Sequence, residues 1–584
     1  MTDPAARPFS SRQVPLVLAL CLCLAGCKGD AGPKERVFVG AGSWAIPPAY
    51  TGNPWAPQSV GCASWYVHEP LFYYLPTRES YLPRLGVEAV ESRDGRRLSV
   101  RLRKGVTWHD GKPFTSRDVA ATFQLGAIHG WQVWQRLQGI ETPDEHTVVF
   151  AFKKPLRRYD KIRILTEKIT SPFDPYQEWA AQALPLIGRA AATAEKQALR
   201  EKLCRYRPPL PIGTGPFRVV NVTSSEMLLE RFPDGWARDK LKIDKIKILR
   251  GLKNEIMWAF IMAGEIDASS PATPRDVAEQ VIKRNPGTKL VCPSDLHEFG
   301  FIFNLRKKPM SDVNFRKAFA HAVDRERVTK ISYYYSRPVT DYNTGIVRSE
   351  RDRWLSAEFL RKLDKYEYDP RKAMRILDEA GYRKGKDGYY RDPDGAPMEL
   401  EISSSENTDW VLGAEVATSL LNKIGVKSKV RIVMGALYGT NLRDGDFDVA
   451  VEFGPNFARF GLPVLSYERL YYKSEFMRRA TGIADKVRGP GGGTVDLSAT
   501  VERLHETRDE KERRELIEKL AWITHEHIPF LSVYEKNLMV FVVDGKRVRG
   551  WPGVENPVWS NVSYGVEGAL VSFMIDGTLE GIPR

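Results

Sequence analysis

Four His-Glu pairs, at positions 68, 297, 505 and 525, hold the residue types of a zinc hydrolase. In such enzymes a second histidine one helical turn further on completes the metal site, and the glutamate activates water. None of the four pairs has that second histidine, so the spacing is absent. His525-Glu526-His527 offers two imidazoles at i and i+2, which face apart on a helix, and it reads as a solvated helix end. No G-x-S-x-G elbow occurs, and no serine is followed three residues later by lysine, so the common serine acyl-transfer signatures are missing. Gly213-Thr214-Gly215-Pro216-Phe217 comes near a dinucleotide fingerprint, but Pro216 would break the helix that must follow, so it reads as a loop into a strand at 217–222. Gly489 to Gly493 lacks the Lys-Ser/Thr of a phosphate loop and reads as a flexible surface loop. Asp446 and Asp448 alternate along a strand-like stretch as surface carboxylates without an acid partner. No catalytic residue and no metal site is assigned.

The elements that would position any site alternate between strand and helix, the pattern of α/β lobes. Leu98, Val100 and Leu102 alternate with polar residues, giving a strand with one apolar face. Thr115 and Asp118 make a capping box that opens a helix carrying Val119, Ala120 and Phe123. Asp312 caps a stripe of Phe315, Phe319, Ala322 and Val323. Asp369-Pro370 opens a helix with Ala373, Ile376, Leu377 and Ala380 inward, stopped at Gly381. A further helix spans 412–424 before a strand at 430–433, and Asp509 starts a helix that Pro529 interrupts.

Of six cysteines, three fall within residues 16–30, in and just after an apolar run from Val14 to Ala25. That run is too short to span a bilayer as a helix, for which about 20 residues are needed. Arg7 and Arg12 precede it and small residues close it, the layout of an export signal. Leu24-Ala25-Gly26-Cys27 resembles the lipobox of bacterial lipoproteins, which implies cleavage before Cys27 and lipid on that residue. A plain secretory signal or a short membrane anchor are the alternatives. Cys62, Cys204 and Cys292 remain, so at most one disulfide forms. The net charge is +14, but both signs are interleaved and no basic stripe with stacking aromatics appears, so nucleic acid is not expected as a partner. Aromatic residues make up 11% of the chain, with 14 Trp, a residue that ligand clefts use for broad apolar faces.

Several stretches together resemble the bacterial extracellular solute-binding proteins of family 5, the oligopeptide-, dipeptide- and nickel-binding receptors of ABC importers. They are Leu102 to Val106 with Trp108 to Thr115 and Asp118-Val119, then Gly213 to Phe217, Phe303-Asn304, Phe315 to Ala318 and Ala322 to Arg325. Tyr368-Asp369-Pro370, Ala380-Gly381-Tyr382 and Pro529-Phe530-Leu531 complete the ordered set. The resemblance implies an α/β fold of two lobes, periplasmic-binding-protein-like (type II, cluster C-like), with an extra domain packed on the first lobe. The division it implies is a lipoprotein signal at 1–26, a tether at 27–36, lobe I from 37–71, 206–296 and 539–584, the additional domain at 72–205 and lobe II at 297–538. Crossover strands are expected near His297 to Leu305 and Val533 to Leu538.

The implied function is capture of an extended solute, foremost an oligopeptide, between lobes that close and dock on a membrane permease driven by an ATPase. The protein is expected to act as a monomer without a cofactor, on the periplasmic side of a bacterial membrane or at the cell surface, held there by lipid on Cys27. Peptide-binding members meet the ligand's amino group with an Asp after a D-x-x-x-x-x-W-like strand. Here Phe453 stands where Trp is common, and no Asp follows in the expected place. The expected ligand contacts are Trp44, Trp410, Glu452, Phe453 and Asn456, and Glu452 is the candidate to replace the missing charge. An uncharged ligand such as an oligosaccharide is the first alternative, since sugars stack on aromatic faces. A lipid-anchored hydrolase or scaffold reusing the fold is the alternative of a different class, and the sequence supplies no catalytic cluster for it.

Overall fold

The computed structural model describes residues 34–584 apart from 43–49, 60, 190–191, 252, 458–459 and 473–474. Cys27 and Trp44 therefore lie outside the described residues. Three sheets organise the rest. A seven-stranded sheet has the order Thr288–Val291, Val540–Val543, Ala268–Ser269, Val37–Gly42, Lys245–Arg250, Glu226–Arg231 and Phe217–Val222. A six-stranded sheet has the order Arg337–Pro338, Phe530–Asn537, Ser294–Phe303, Val449–Asn456, Leu400–Ser405 and Ser428–Val433. A four-stranded antiparallel sheet is made of Gly86–Glu91, Arg97–Leu102, Thr147–Phe152 and Leu137–Asp144. In the division expected above, the first sheet falls in lobe I, the second in lobe II and the third in the additional domain. The chain passes from the first sheet to the second at Cys292-Pro293, into Ser294–Phe303, and returns at Leu538-Met539 after Phe530–Asn537.

Burial follows the sequence patterns. In Arg97–Leu102 the residues Leu98, Val100 and Leu102 are buried and Arg97 and Arg101 exposed, as period-two alternation requires. Around them Trp108, Phe114, Phe123 and Phe150 fill a separate core, so Trp108 is a packing residue. The Thr115/Asp118 capping box is formed. His109, next to Trp108, lies against the Gly213-to-Phe217 loop: its backbone N–H donates to the Gly213 carbonyl at 2.9 Å, and its Nε2 lies 3.0 Å from the Gly215 carbonyl. Gly215 in turn donates to the Val67 carbonyl at 2.8 Å. A Cβ on Gly213 would stand 1.8 Å from that carbonyl, so only glycine admits this approach.

The helix expected at 412–424 begins a turn earlier, as Thr408–Ile424, so Trp410 lies inside its first turn. Its end at Gly425 is as expected, with the glycine at φ 93°. Val449–Asn456 starts after Asp446 and Asp448, so those carboxylates precede the strand. Asp446 pairs with Arg431 at 2.8 Å, and Asp448 lies 3.6 Å from Lys307. Residues 490–492 form a short helical turn between Lys486–Arg488 and Thr494–Asp496, an exposed hairpin end. The solvated reading of His525 is overturned: it is fully buried in Glu510–His527 and stacks on Tyr366 at 4.5 Å. Burial holds its imidazole down at about 4. The apolar stripe of that helix continues through 525, which the neighbouring Glu526 and His527 hid in the sequence.

Asp312 caps Val313–Ala322 by accepting from the Asn314 N–H at 2.9 Å, and its other oxygen accepts from the Tyr382 hydroxyl at 3.0 Å. Asp312→Ala removes both bonds and is expected to cost about 1–2 kcal/mol. Chemical denaturation checks it, and an unchanged midpoint would show that the cap is not needed. The three cysteines Cys62, Cys204 and Cys292 are all free thiols, so no disulfide joins the described elements.

Candidate functional site

Leu400–Ser405 runs parallel to Val449–Asn456, and both end at the same edge of the lobe II sheet. The two crossover strands pair antiparallel there, with Ser294 opposite Asn537, and His297 of the outgoing one lies opposite Asn456 of Val449–Asn456. Carboxyl ends of parallel strands and interlobe connections thus converge at one place, where α/β folds bind ligands.

An aromatic group occupies it. The Phe453 ring lies 5.5 Å from Trp410, 5.6 Å from Phe299 and 5.8 Å from His297. Phe299 stacks on Tyr534 at 4.9 Å, and Tyr534 on Tyr333 at 6.0 Å. Lys536 places its ammonium 5.3 Å from the centre of Phe453 and 5.6 Å from that of Tyr333. Phe453, His297 and Lys536 keep partial exposure, whereas Trp410, Phe299 and Tyr534 are buried behind them. Trp410 therefore backs the platform and does not form its face. Asp409 has its carboxyl raised by burial, with Lys536 opposing that effect.

Successive residues of a strand point to opposite faces, and Glu452 departs from Phe453 accordingly. Glu452 is buried; its Oε1 accepts from the Phe453 N–H at 2.8 Å and lies 3.8 Å from Arg469 Nη2. The same Arg469 nitrogen donates to the Phe453 carbonyl at 3.1 Å. Burial raises the Glu452 carboxyl and lowers the Arg469 guanidinium, the signature of a desolvated pair. Glu452 so braces the strand end from behind. Asn456 is half-buried at the end of the strand, its N–H donating to the Ser466 hydroxyl at 2.7 Å.

Of the five residues expected from the sequence, four lie at this edge, Phe453 and Asn456 partly exposed, Trp410 and Glu452 buried. Sequence reasoning missed His297, Asp409 and Lys536. Lys536 carried no distinct signal, because it sits between Glu535 and Asn537 in the crossover strand.

In the lobe I sheet Val37–Gly42, Lys245–Arg250 and Ala268–Ser269 are parallel strands. Beside them a cavity of about 40 Å³ is lined by Gly40, Cys62, Tyr66, Ser269 and Glu567. Burial pushes the Cys62 thiol up to about 12, so it stays protonated and unreactive at neutral pH. Among the described residues there is no group of three or more His, Cys, Asp or Glu that could hold a metal ion.

Two α/β lobes joined by paired crossover strands, with an aromatic platform at their meeting edge, define a two-lobed ligand-binding protein. The chain belongs to the bacterial extracellular solute-binding proteins, family 5, whose model matches residues 80–475. A glutathione-binding protein of Salmonella choleraesuis is 23% identical over 346 residues. The match spans 58% of this chain and 58% of that relative's length. The periplasmic oligopeptide-binding protein of Thermotoga maritima superposes at TM-score 0.75 with 21% identity, over 94% of this chain and 99% of that one. Its structure bound to mannohexaose gives 0.70 and 23%, with the same coverage. The oligopeptide-binding protein of Bacillus subtilis, in complex with a nonapeptide, gives 0.63 and 17%, over 92% and 99%. These likenesses establish the fold. The family and these neighbours are binding proteins, and no described helix is long and apolar enough to cross a membrane.

Proposed function

We propose that this chain is the solute-binding component of an ABC importer, which captures an extended solute between lobes I and II and presents it to a membrane permease. The observation that carries this reading is the half-exposed Phe453 and Lys536 at the carboxyl edge of the lobe II sheet, beside both crossover strands. Contacts made to both lobes at once favour the closed form, because only affinity that differs between open and closed states drives closure. An oligopeptide fits this edge: its backbone bonds to strand ends, an aliphatic or aromatic side chain covers Phe453, and a carboxylate meets Lys536. Removal of residues 1–26 and lipid on Cys27 would hold the receptor near its permease and raise its effective concentration there.

The oligosaccharide reading is favoured by a different feature, an aromatic face whose neighbouring carboxylate on the same strand, Glu452, is turned inward to Arg469 and does not greet an amine. Mass spectrometry of the solute that co-purifies with the soluble chain, followed by calorimetry with peptides and mannose oligomers, separates the two. A peptide bound in 1:1 stoichiometry and released unchanged is expected. Turnover of the solute, or one-lobe binding without a change in small-angle scattering, would reject the receptor reading.

A further inference from the structure

The most densely charged cavity lies away from this edge. It holds about 360 Å³ where the additional domain meets lobe II, and neither Phe453 nor Lys536 is in its lining. Arg157, Arg158 and Lys161 line one wall, and Arg508 and Arg513 the other, against the carboxylates of Glu91, Glu506 and Glu510. Five cations thus face three anions of the lining; Arg157 is paired from behind with Asp160 at 2.7 Å, and the three lining anions are divided. Glu91 is shared by Arg508 at 2.5 Å and Lys161 at 3.5 Å. Glu506 is engaged from behind by Arg136 at 2.6 Å. Glu510, the partner of Arg513, has a side chain 79% exposed and is screened by water. Arg158 has Glu79, which it shares with Arg353.

The backbone adds to the same sign. Helices Arg158–Thr166 and Pro463–Tyr471 both begin at this cavity, and neither has a capping side chain to accept from its first N–H groups. Burial holds the Arg158 guanidinium below its ordinary value, with repulsion from Arg513 and Arg353 in the same direction. Like charges gathered in half-buried space cost free energy that an anion among them would recover.

We propose that this cavity is a second binding site, for a small multiply charged oxyanion of the phosphate or short polycarboxylate class, held between the additional domain and lobe II. An occupant touching both walls favours the arrangement in which they meet. By linkage it then tightens any solute that binds the same arrangement, and the solute tightens it equally.

The test is calorimetric titration of the purified chain with potassium phosphate and, separately, sodium citrate, against chloride at matched ionic strength. One saturable site is expected, with affinity lost at least tenfold in Arg158→Gln and in Arg513→Gln, partly restored in Arg158→Lys, and unchanged in Arg93→Gln on the surface. Melting in chloride shows which variants are folded, and either arginine variant alone suffices. Binding of phosphate without citrate assigns the inorganic anion; the reverse assigns a polycarboxylate. No saturable heat with either anion, or equal affinity in the folded arginine variants, overturns the proposal. The result does not depend on what the lobe II edge binds.

Discussion

Glu298→Gln is expected to raise the melting temperature by several degrees at pH 8 and to change it little at pH 5. Glu298 lies on the outgoing crossover strand, in register with Glu535 on the return strand, and both carboxylates are buried. Its Oε1 accepts from the Arg348 N–H at 2.9 Å, its Oε2 from the Ser532 hydroxyl. Arg351 and Arg325 stand near it, and Glu350 adds a like charge beside Glu535. Burial outweighs these partners and pushes the carboxyl up from 4.5 to about 7. An acid held above its unfolded value keeps its proton longer in the native state. Stability from this group is therefore lost as pH rises from about 4.5 through about 7, by roughly 3 kcal/mol at ~1.4 kcal/mol per pKa unit. Gln at 298 keeps an acceptor for Arg348 and does not ionise, so the loss disappears. Melts at pH 5 and pH 8 for both proteins measure it, and an identical pH slope in the variant rejects the assignment. Glu69, also buried and also pushed up to about 7, accounts for the slope that remains.

The helices Val313–Ala322 and Pro370–Glu379 were legible because cap, apolar stripe and stop are local signals, each set by a few adjacent residues. The family signature was legible for a related reason: His109 bonds the backbone of Gly213 and Gly215, and those glycines approach Tyr66 and Val67 too closely for other residue types. The candidate site was only half legible. Phe453 and Asn456 follow from their place at a strand end, but Lys536 reaches Phe453 from 83 positions away in the chain, and no local pattern encodes that meeting. Glu452 was misjudged in direction because a strand's alternation decides which neighbour faces the gap, and Arg469, its partner, lies on the helix Pro463–Tyr471. His525 shows the same limit from the other side, since a polar residue inside an apolar stripe is buried or exposed according to partners that the stripe does not name.

Phe453→Ala is expected to weaken solute binding by about 30-fold, roughly 2 kcal/mol, while the protein stays folded. The ring is half-exposed at the gap and backed by Trp410 and Phe299, so truncation removes the solute's contact face and leaves its support in place. Phe453→Tyr keeps the face and is expected to retain affinity within about threefold, which separates loss of contact from loss of fold. Lys536→Met then tells what the face receives. Its ammonium lies over Phe453 and Tyr333 with Asp409 nearby, a cation held at the gap by aromatic faces. A peptide that presents a carboxylate there loses about tenfold in affinity when this charge is removed, and the loss shrinks as salt rises. A neutral oligosaccharide, stacked on Phe453, is expected to bind Lys536→Met as tightly as it binds the parent. Calorimetry of both variants with the co-purified solute reads both outcomes. Affinity unchanged in Phe453→Ala would remove this edge from the binding site altogether, because no contact at the platform survives without its central ring.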